Sequence, residues 1–168
     1  STRCEQGVLC DQGDSLAVNV LYRLNPAPSG NAETDRPQLQ RLSQGALSES
    51  TPSVANDGRI LYTRWEYVDK GQLGIKCLWA MRPDGSGSKE IYGNDIQFPP
   101  TMLHGRQIPG HSNLFVMLGT PHYPQSGIGT VILADLTRDI RTRDPMNYIT
   151  PNVDIRQEPG WNQLRDGK

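Results

Sequence analysis

Residues 49–65 (ESTPSVANDGRILYTRW) constrain the fold more than any other stretch. A short run ending at Val54 meets an Asn56-Asp57-Gly58 turn, and Arg59–Trp65 follows with apolar and polar residues in alternation. Asp-Gly between two such runs marks a β-hairpin, because Gly supplies the positive φ that a tight turn needs. Parts of this hairpin return further along the chain. A strand-turn-strand unit that recurs at a steady period implies a stack of like units rather than one irregular core.

Three segments share one strand type: Leu16–Leu24, Lys76–Arg82 and Gly129–Leu136. Each is followed by a short companion: Gln38–Leu42, Lys89–Tyr92 and Asn147–Thr150. Two further pairs fill the gaps, Pro52–Val54 with Arg59–Trp65, and Thr101–Arg106 with Asn113–Leu118. Equivalent positions recur about every 50–57 residues, a spacing that suits propeller-type repeats once long loops are allowed. Turn chemistry agrees: Pro83-Asp84-Gly85-Ser86-Gly87 separates two strands of the middle set, with Pro presetting φ and Gly accepting the left-handed conformation. No window shows sustained helical periodicity. The expected fold is all-β: a partial β-propeller of about two and a half to three four-stranded antiparallel blades. Residues 1–14 read as an N-terminal extension and residues 15–168 as the propeller domain.

Charge and composition narrow the partners. The net charge is −1 and the hydrophobic fraction is 35%, so no global field recruits nucleic acid or an anionic membrane. No apolar run reaches the ~20 residues that a helix needs to span a bilayer. The 17 basic residues are mostly Arg, which suits fixed, stacked or bidentate contacts. Ser1 in place of an initiator Met suggests a processed or excised chain. Cys4 and Cys10 are close enough in sequence for a local disulfide, which would suit an oxidising compartment; two free thiols on an extension is the other reading. Cys77 lies in an apolar run and reads as a small core residue. There is no Cys-x-x-Cys and no His pair at zinc-ligand spacing. The Arg138–Pro145 run reads as a solvated charge cluster, with an arginine patch for an anionic partner as the other reading.

Several segments together carry a family resemblance: Ile60–Tyr67 (ILYTRWEY), Leu78–Gly85 (LWAMRPDG), Ile91–Asn94 (IYGN), Arg106–Gly110 (RQIPG) and Gly119–His122 (GTPH). They resemble the TolB-type and WD-like β-propeller repeat, and more closely the propeller-containing middle domain of the hydrazine synthase alpha subunit and its bacterial relatives. The likeness runs over about half of the chain, residues 57–135. It implies a six-bladed ring in a periplasmic or secreted protein. In that family, haem-bearing segments outside the propeller carry the chemistry. This chain has no Cys-x-x-Cys-His motif, so the likeness implies no cofactor here and places haem only in flanking segments of a longer parent protein.

Candidate site residues are few. Arg64, Trp65, Glu66 and Tyr67 close a strand, and alternation puts Arg64 and Glu66 on one face and Trp65 and Tyr67 on the other. They read as an ion pair with inter-blade aromatic packing, or as a rim that contacts a ligand or subunit. His122 and Tyr123 lie in a Gly- and Pro-rich loop. His122 reads as an exposed loop histidine, or the pair as part of a propeller's binding face. The resemblance adds a recurring His near this place, with a metal or haem axial role as its implication, though one His does not make a site. His104 and His111 flank the Arg106–Gly110 turn and read as strand-end side chains. Neither a Gly-x-Ser-x-Gly elbow nor a phosphate loop is present, and Asp84 reads as a turn residue rather than a calcium ligand. The functional expectation is a non-catalytic scaffold or partner-binding module. The alternative is the middle domain of a haem-dependent oxidoreductase. Two and a half blades leave open edges, so the expected partner is another protein, the remainder of the ring, or a second copy that completes it.

Overall fold

A computed structural model describes residues 19–25, 38–45, 47–66, 75–96, 98–120 and 129–150. Among them there are ten strands and no helix: β1 (Tyr22–Asn25), β2 (Gln38–Arg41), β3 (Glu49–Val54), β4 (Ile60–Glu66), β5 (Ile75–Met81), β6 (Lys89–Tyr92), β7 (Thr101–Gln107), β8 (Leu114–Thr120), β9 (Thr130–Asp135) and β10 (Met146–Tyr148). The all-β expectation stands.

Strands β3–β6 form one antiparallel meander and β7–β10 another, each strand pairing with the next in sequence. Strands β1 and β2 form a separate antiparallel hairpin. The meanders are joined by one parallel bridge, Lys76 with Thr101. This mixed connection was not expected from the sequence. It arises because the Pro99-Pro100 segment runs beside β5, where the Lys76 N–H donates to the Pro100 carbonyl at 2.9 Å.

Strand β3 begins at Glu49 rather than at the expected Pro52. Glu49 and Ser50 pair with Arg64 and Thr63, and the register then shifts before Ser53 resumes opposite Leu61. Thr51, at φ 51°, occupies the bulge beside Pro52. A proline inside a strand is tolerated at such a bulge, where its missing N–H breaks no ladder bond. Strand β7 repeats the device: the register shifts between Leu103 and Arg106, with His104 at φ 55°. His104 therefore sits inside a strand at an exposed bulge, not at a strand end.

Each face of the β3–β6 sheet is covered. Leu61, Leu78 and Ala80 pack with Met102, Phe115, Met117, Ile132 and Ala134 of the second meander. Tyr62 and Met81, on the opposite face, pack with Leu21 and Leu42, which flank the β1–β2 hairpin. Full burial of each large side chain contributes about 1.5–3 kcal/mol. The core is thus two apolar seams on either side of one sheet.

Polar links key the meanders together. The Thr63 hydroxyl donates to the Met102 carbonyl at 2.7 Å. It must then accept from Thr51 Oγ1 at 2.9 Å, and Thr51 Oγ1 in turn accepts the His104 N–H at 3.2 Å. One hydroxyl carries one proton, so the relay has a single direction. The Ser53 hydroxyl donates to the Gly105 carbonyl at 2.6 Å. Asn56 joins the two hairpin turns, its N–H donating to Gln107 Oε1 at 2.7 Å and its side-chain amide to the Ile108 carbonyl at 3.0 Å.

The far face of the second meander is apolar in its middle and polar at Arg106 and Asn147, which extend the Val116–Leu133 row at its two edges. Phe115 and Met117 point inward, so Val116 and Leu118 point outward by alternation. Leu103, Leu118 and Val131 lie in one cross-strand row, and Val116 and Leu133 in the next; all are half-buried. Ile149, whose N–H donates to the Val131 carbonyl, is 59% exposed.

Candidate functional site

The turn between β5 and β6, residues 42–45 after β2, and the β1-facing side of β4 border an open-sided cavity of about 230 Å³, lined by residues that include Ser43, Glu49, Tyr62, Arg64, Gly85 and Ser88. Local sequence explains each wall. Gly85 takes φ 88° in the Pro83–Gly87 turn, and a Cβ there would drive into the Leu42 carbonyl; only glycine lets the turn come this close to the chain. Asp84 Oδ1 accepts the Ser86 N–H at 2.9 Å, and this bond holds its carboxyl below the usual carboxylate range, as expected of a turn residue. On β4, Tyr62, Arg64 and Glu66 alternate onto the cavity side.

Glu49 is the unusual member. Its side chain is 1% exposed, and burial pushes its carboxyl pKa upward despite hydrogen bonds from Ser43 and Gly45 and the positive charges of Arg64 and Arg41. Desolvation of a carboxylate outweighs partial compensation when no partner is in full contact. The nearest cation, Arg64 Nη1, stands 3.9 Å from Glu49 Oε1, while Arg64 Nε donates to Glu66 Oε1 at 2.6 Å. The Arg64 guanidinium lies over the Trp79 ring, 4.5 Å from its centre, so stacking and the Glu66 bond fix its position. The Tyr62 hydroxyl bonds the Ser88 hydroxyl at 2.6 Å, and burial raises the Tyr62 pKa.

Of the residues singled out from the sequence, Arg64, Trp65 and Glu66 end β4, with Arg64 and Glu66 paired on one face as alternation requires. Trp65 turns to the other face, where Lys76 Nζ lies 4.7 Å from its ring centre. Tyr67, His122, Tyr123, Cys4 and Cys10 lie outside the described residues. Cys77 is fully buried, as expected, and accepts from the Trp79 indole N–H at 3.1 Å. Glu49 was missed. Its one sequence signal is an acid at the head of a strand whose partner strand carries an Arg, and pairing them requires the register that the Thr51 bulge sets. The Arg138–Pro145 run is mostly exposed and is paired both within itself and beyond it: Arg138 Nη1 donates to the Asp144 carbonyl at 3.2 Å, Arg141 Nη1 lies 3.2 Å from Asp95 Oδ2, and Arg143 Nη2 donates to the Tyr148 hydroxyl at 2.8 Å.

No family model, curated protein or solved structure matches the chain. Among the described residues, no helix is long and apolar enough to cross a membrane, and no group of three His, Cys, Asp or Glu residues is placed to hold a metal ion.

Proposed function

We propose that this chain is part of a β-propeller, of the TolB-like kind that its sequence resembles, and that it serves as a non-catalytic scaffold or partner-binding module. The observation that carries the reading is the stack itself. Two four-stranded meanders lie face to face, their first strands bear bulges at Thr51 and His104, 53 residues apart, and the outermost sheet keeps an apolar outer face. A sheet that is apolar on both sides calls for a further layer. Another copy of this chain supplies that layer and builds toward a ring. The repeated bulge supports one structural unit used twice, as blades are. A propeller of this kind acts in the periplasm or as a secreted protein, as the resemblance implies.

The test is light scattering with small-angle X-ray scattering on the chain and on a Leu118→Lys, Val131→Lys double variant, with circular dichroism as the check on folding. The chain should associate as its concentration rises, into a particle of ring-like dimensions. The folded double variant should be monomeric. A folded, monomeric parent chain at every concentration would retire the self-completing ring.

A further inference from the structure

The cavity beside Glu49 has a chemistry that the scaffold reading does not require. At about 230 Å³ it falls below the usual range for drug-sized ligands. Its occupant is therefore a small molecule or one side chain. Its wall sets a carboxylate oxygen and a guanidinium nitrogen 3.9 Å apart, too far to bond each other. Both groups are held from behind: Glu49 by Ser43 and Gly45, Arg64 by Glu66 and the Trp79 ring. Both residues line the same pocket, Arg64 partly exposed and Glu49 through an almost wholly buried carboxylate.

The charges select against an ion. The carboxylates Glu49 and Glu66 are balanced by Arg64 and by Arg41, whose Nε donates to the Ser43 carbonyl at 2.8 Å. A cation entering the cavity meets the Arg64 guanidinium, and an anion meets the Glu49 carboxylate. A neutral planar group that donates on one edge and accepts on the other satisfies both. We propose that the Glu49–Arg64 cavity binds a primary carboxamide or urea group, with its N–H donating to Glu49 Oε1 and its carbonyl accepting from Arg64 Nη1. The Tyr62–Ser88 hydroxyl pair lies on the same wall and offers a further polar contact. The carboxamide comes from a free small amide or from an Asn or Gln side chain of a partner. The site does not depend on the propeller reading and stands or falls separately from it.

The group that must stay ionised is Glu49. Among the described residues, Arg64, Arg41 and the Tyr62 phenol are the charged and titratable groups that act on it, with Glu66 bonded to Arg64 behind them. Binding should tighten as pH rises through the range in which Glu49 loses its proton, because the ionised carboxylate accepts a charge-assisted hydrogen bond that is stronger than the one the protonated acid accepts through its carbonyl alone.

The experiment is a ¹H–¹⁵N NMR titration of the whole chain with propionamide, with propionate and propylammonium as charged isosteres and a short Asn-containing peptide as the side-chain source. Propionamide should shift the Gly45, Gly85 and Ser88 amide signals saturably, and bind at least about tenfold more tightly than either isostere. A peptide that binds more tightly than propionamide marks the partner side chain as the source, and the reverse order marks the free amide. Glu49→Met and Arg64→Met should each remove the preference. Arg64 is partly exposed, so its variant keeps the test alive should Glu49→Met not fold. Equal or tighter binding of a charged isostere overturns the assignment, as do the absence of saturable shifts with any probe and unchanged binding in the folded Arg64 variant.

Discussion

Replacing Thr63 with Val tests whether polar links, and not apolar packing alone, hold the two meanders together. Thr63 is 2% exposed. Its hydroxyl donates to the Met102 carbonyl at 2.7 Å and accepts from Thr51 at 2.9 Å. Valine keeps the volume, so no cavity opens. Each lost bond costs about 1–1.5 kcal/mol, and the added methyl returns up to ~0.8 kcal/mol. The expected loss is about 2 kcal/mol. Urea unfolding should show it as a lower midpoint at unchanged slope. Thr63→Ser keeps the hydroxyl and removes a methyl, so it should cost only about 1 kcal/mol. In a double-mutant cycle, Thr51→Val and Thr63→Val should couple by ~1 kcal/mol. A Thr63→Val protein within ~0.5 kcal/mol of the parent, or a serine variant less stable than the valine one, would refute the reasoning.

Other perturbations probe the cavity, the turns and the core. Burial raises the folded pKa of Glu49 above its ordinary 4.5, so the native state holds the proton longer than the unfolded chain. The parent should therefore lose stability relative to Glu49→Gln as pH rises from 4.5 through the folded pKa, by at most about 1.4 kcal/mol per pH unit; a gap in denaturation midpoints that ignores pH would contradict this. The turn carboxylates behave oppositely. Backbone N–H bonds to Asp57 and Asp84, and the Thr137 hydroxyl bond to Asp135, lower their pKa values below 3.8, so their contribution is present above 3.8 and lost as pH falls further. Asp84→Asn should flatten that acid limb in a pH series of thermal melts. Gly85→Ala should cost more than ~2 kcal/mol, because φ 88° is strained for alanine and its Cβ meets the Leu42 carbonyl. Tyr92→Phe removes the 2.9 Å bond to the Thr142 carbonyl and should cost about 1 kcal/mol by chemical denaturation.

Strand positions were legible in the sequence because glycine and proline turns bracket them. Asn56-Asp57-Gly58 and Pro83–Gly87 left little freedom in placing β4, β5 and β6. The start of β3 was not legible, because Pro52 reads as a strand boundary unless a bulge absorbs it. The same bulge hid the cavity. Arg64 and Glu66 share a face by simple alternation, yet the pairing of Arg64 with Glu49 depends on a register shift that no local pattern announces. The parallel bridge at Lys76 was hidden for a related reason: one contact between distant segments leaves no periodic trace. His104 was misplaced because a histidine at φ 55° inside a strand contradicts ordinary propensity, and tertiary bonds from Thr51 and Ser53 impose it.

The outward-facing row of half-buried Leu103, Leu118 and Val131 beside exposed Ile149 bears on how the molecule behaves as a colloid. A net charge of −1 gives neighbouring particles little reason to stay apart, and sulfate or phosphate salts strengthen attraction between such surfaces. Buffers low in these salts and well away from neutral pH, where the chain acquires more charge of one sign, are the conditions that keep it dispersed.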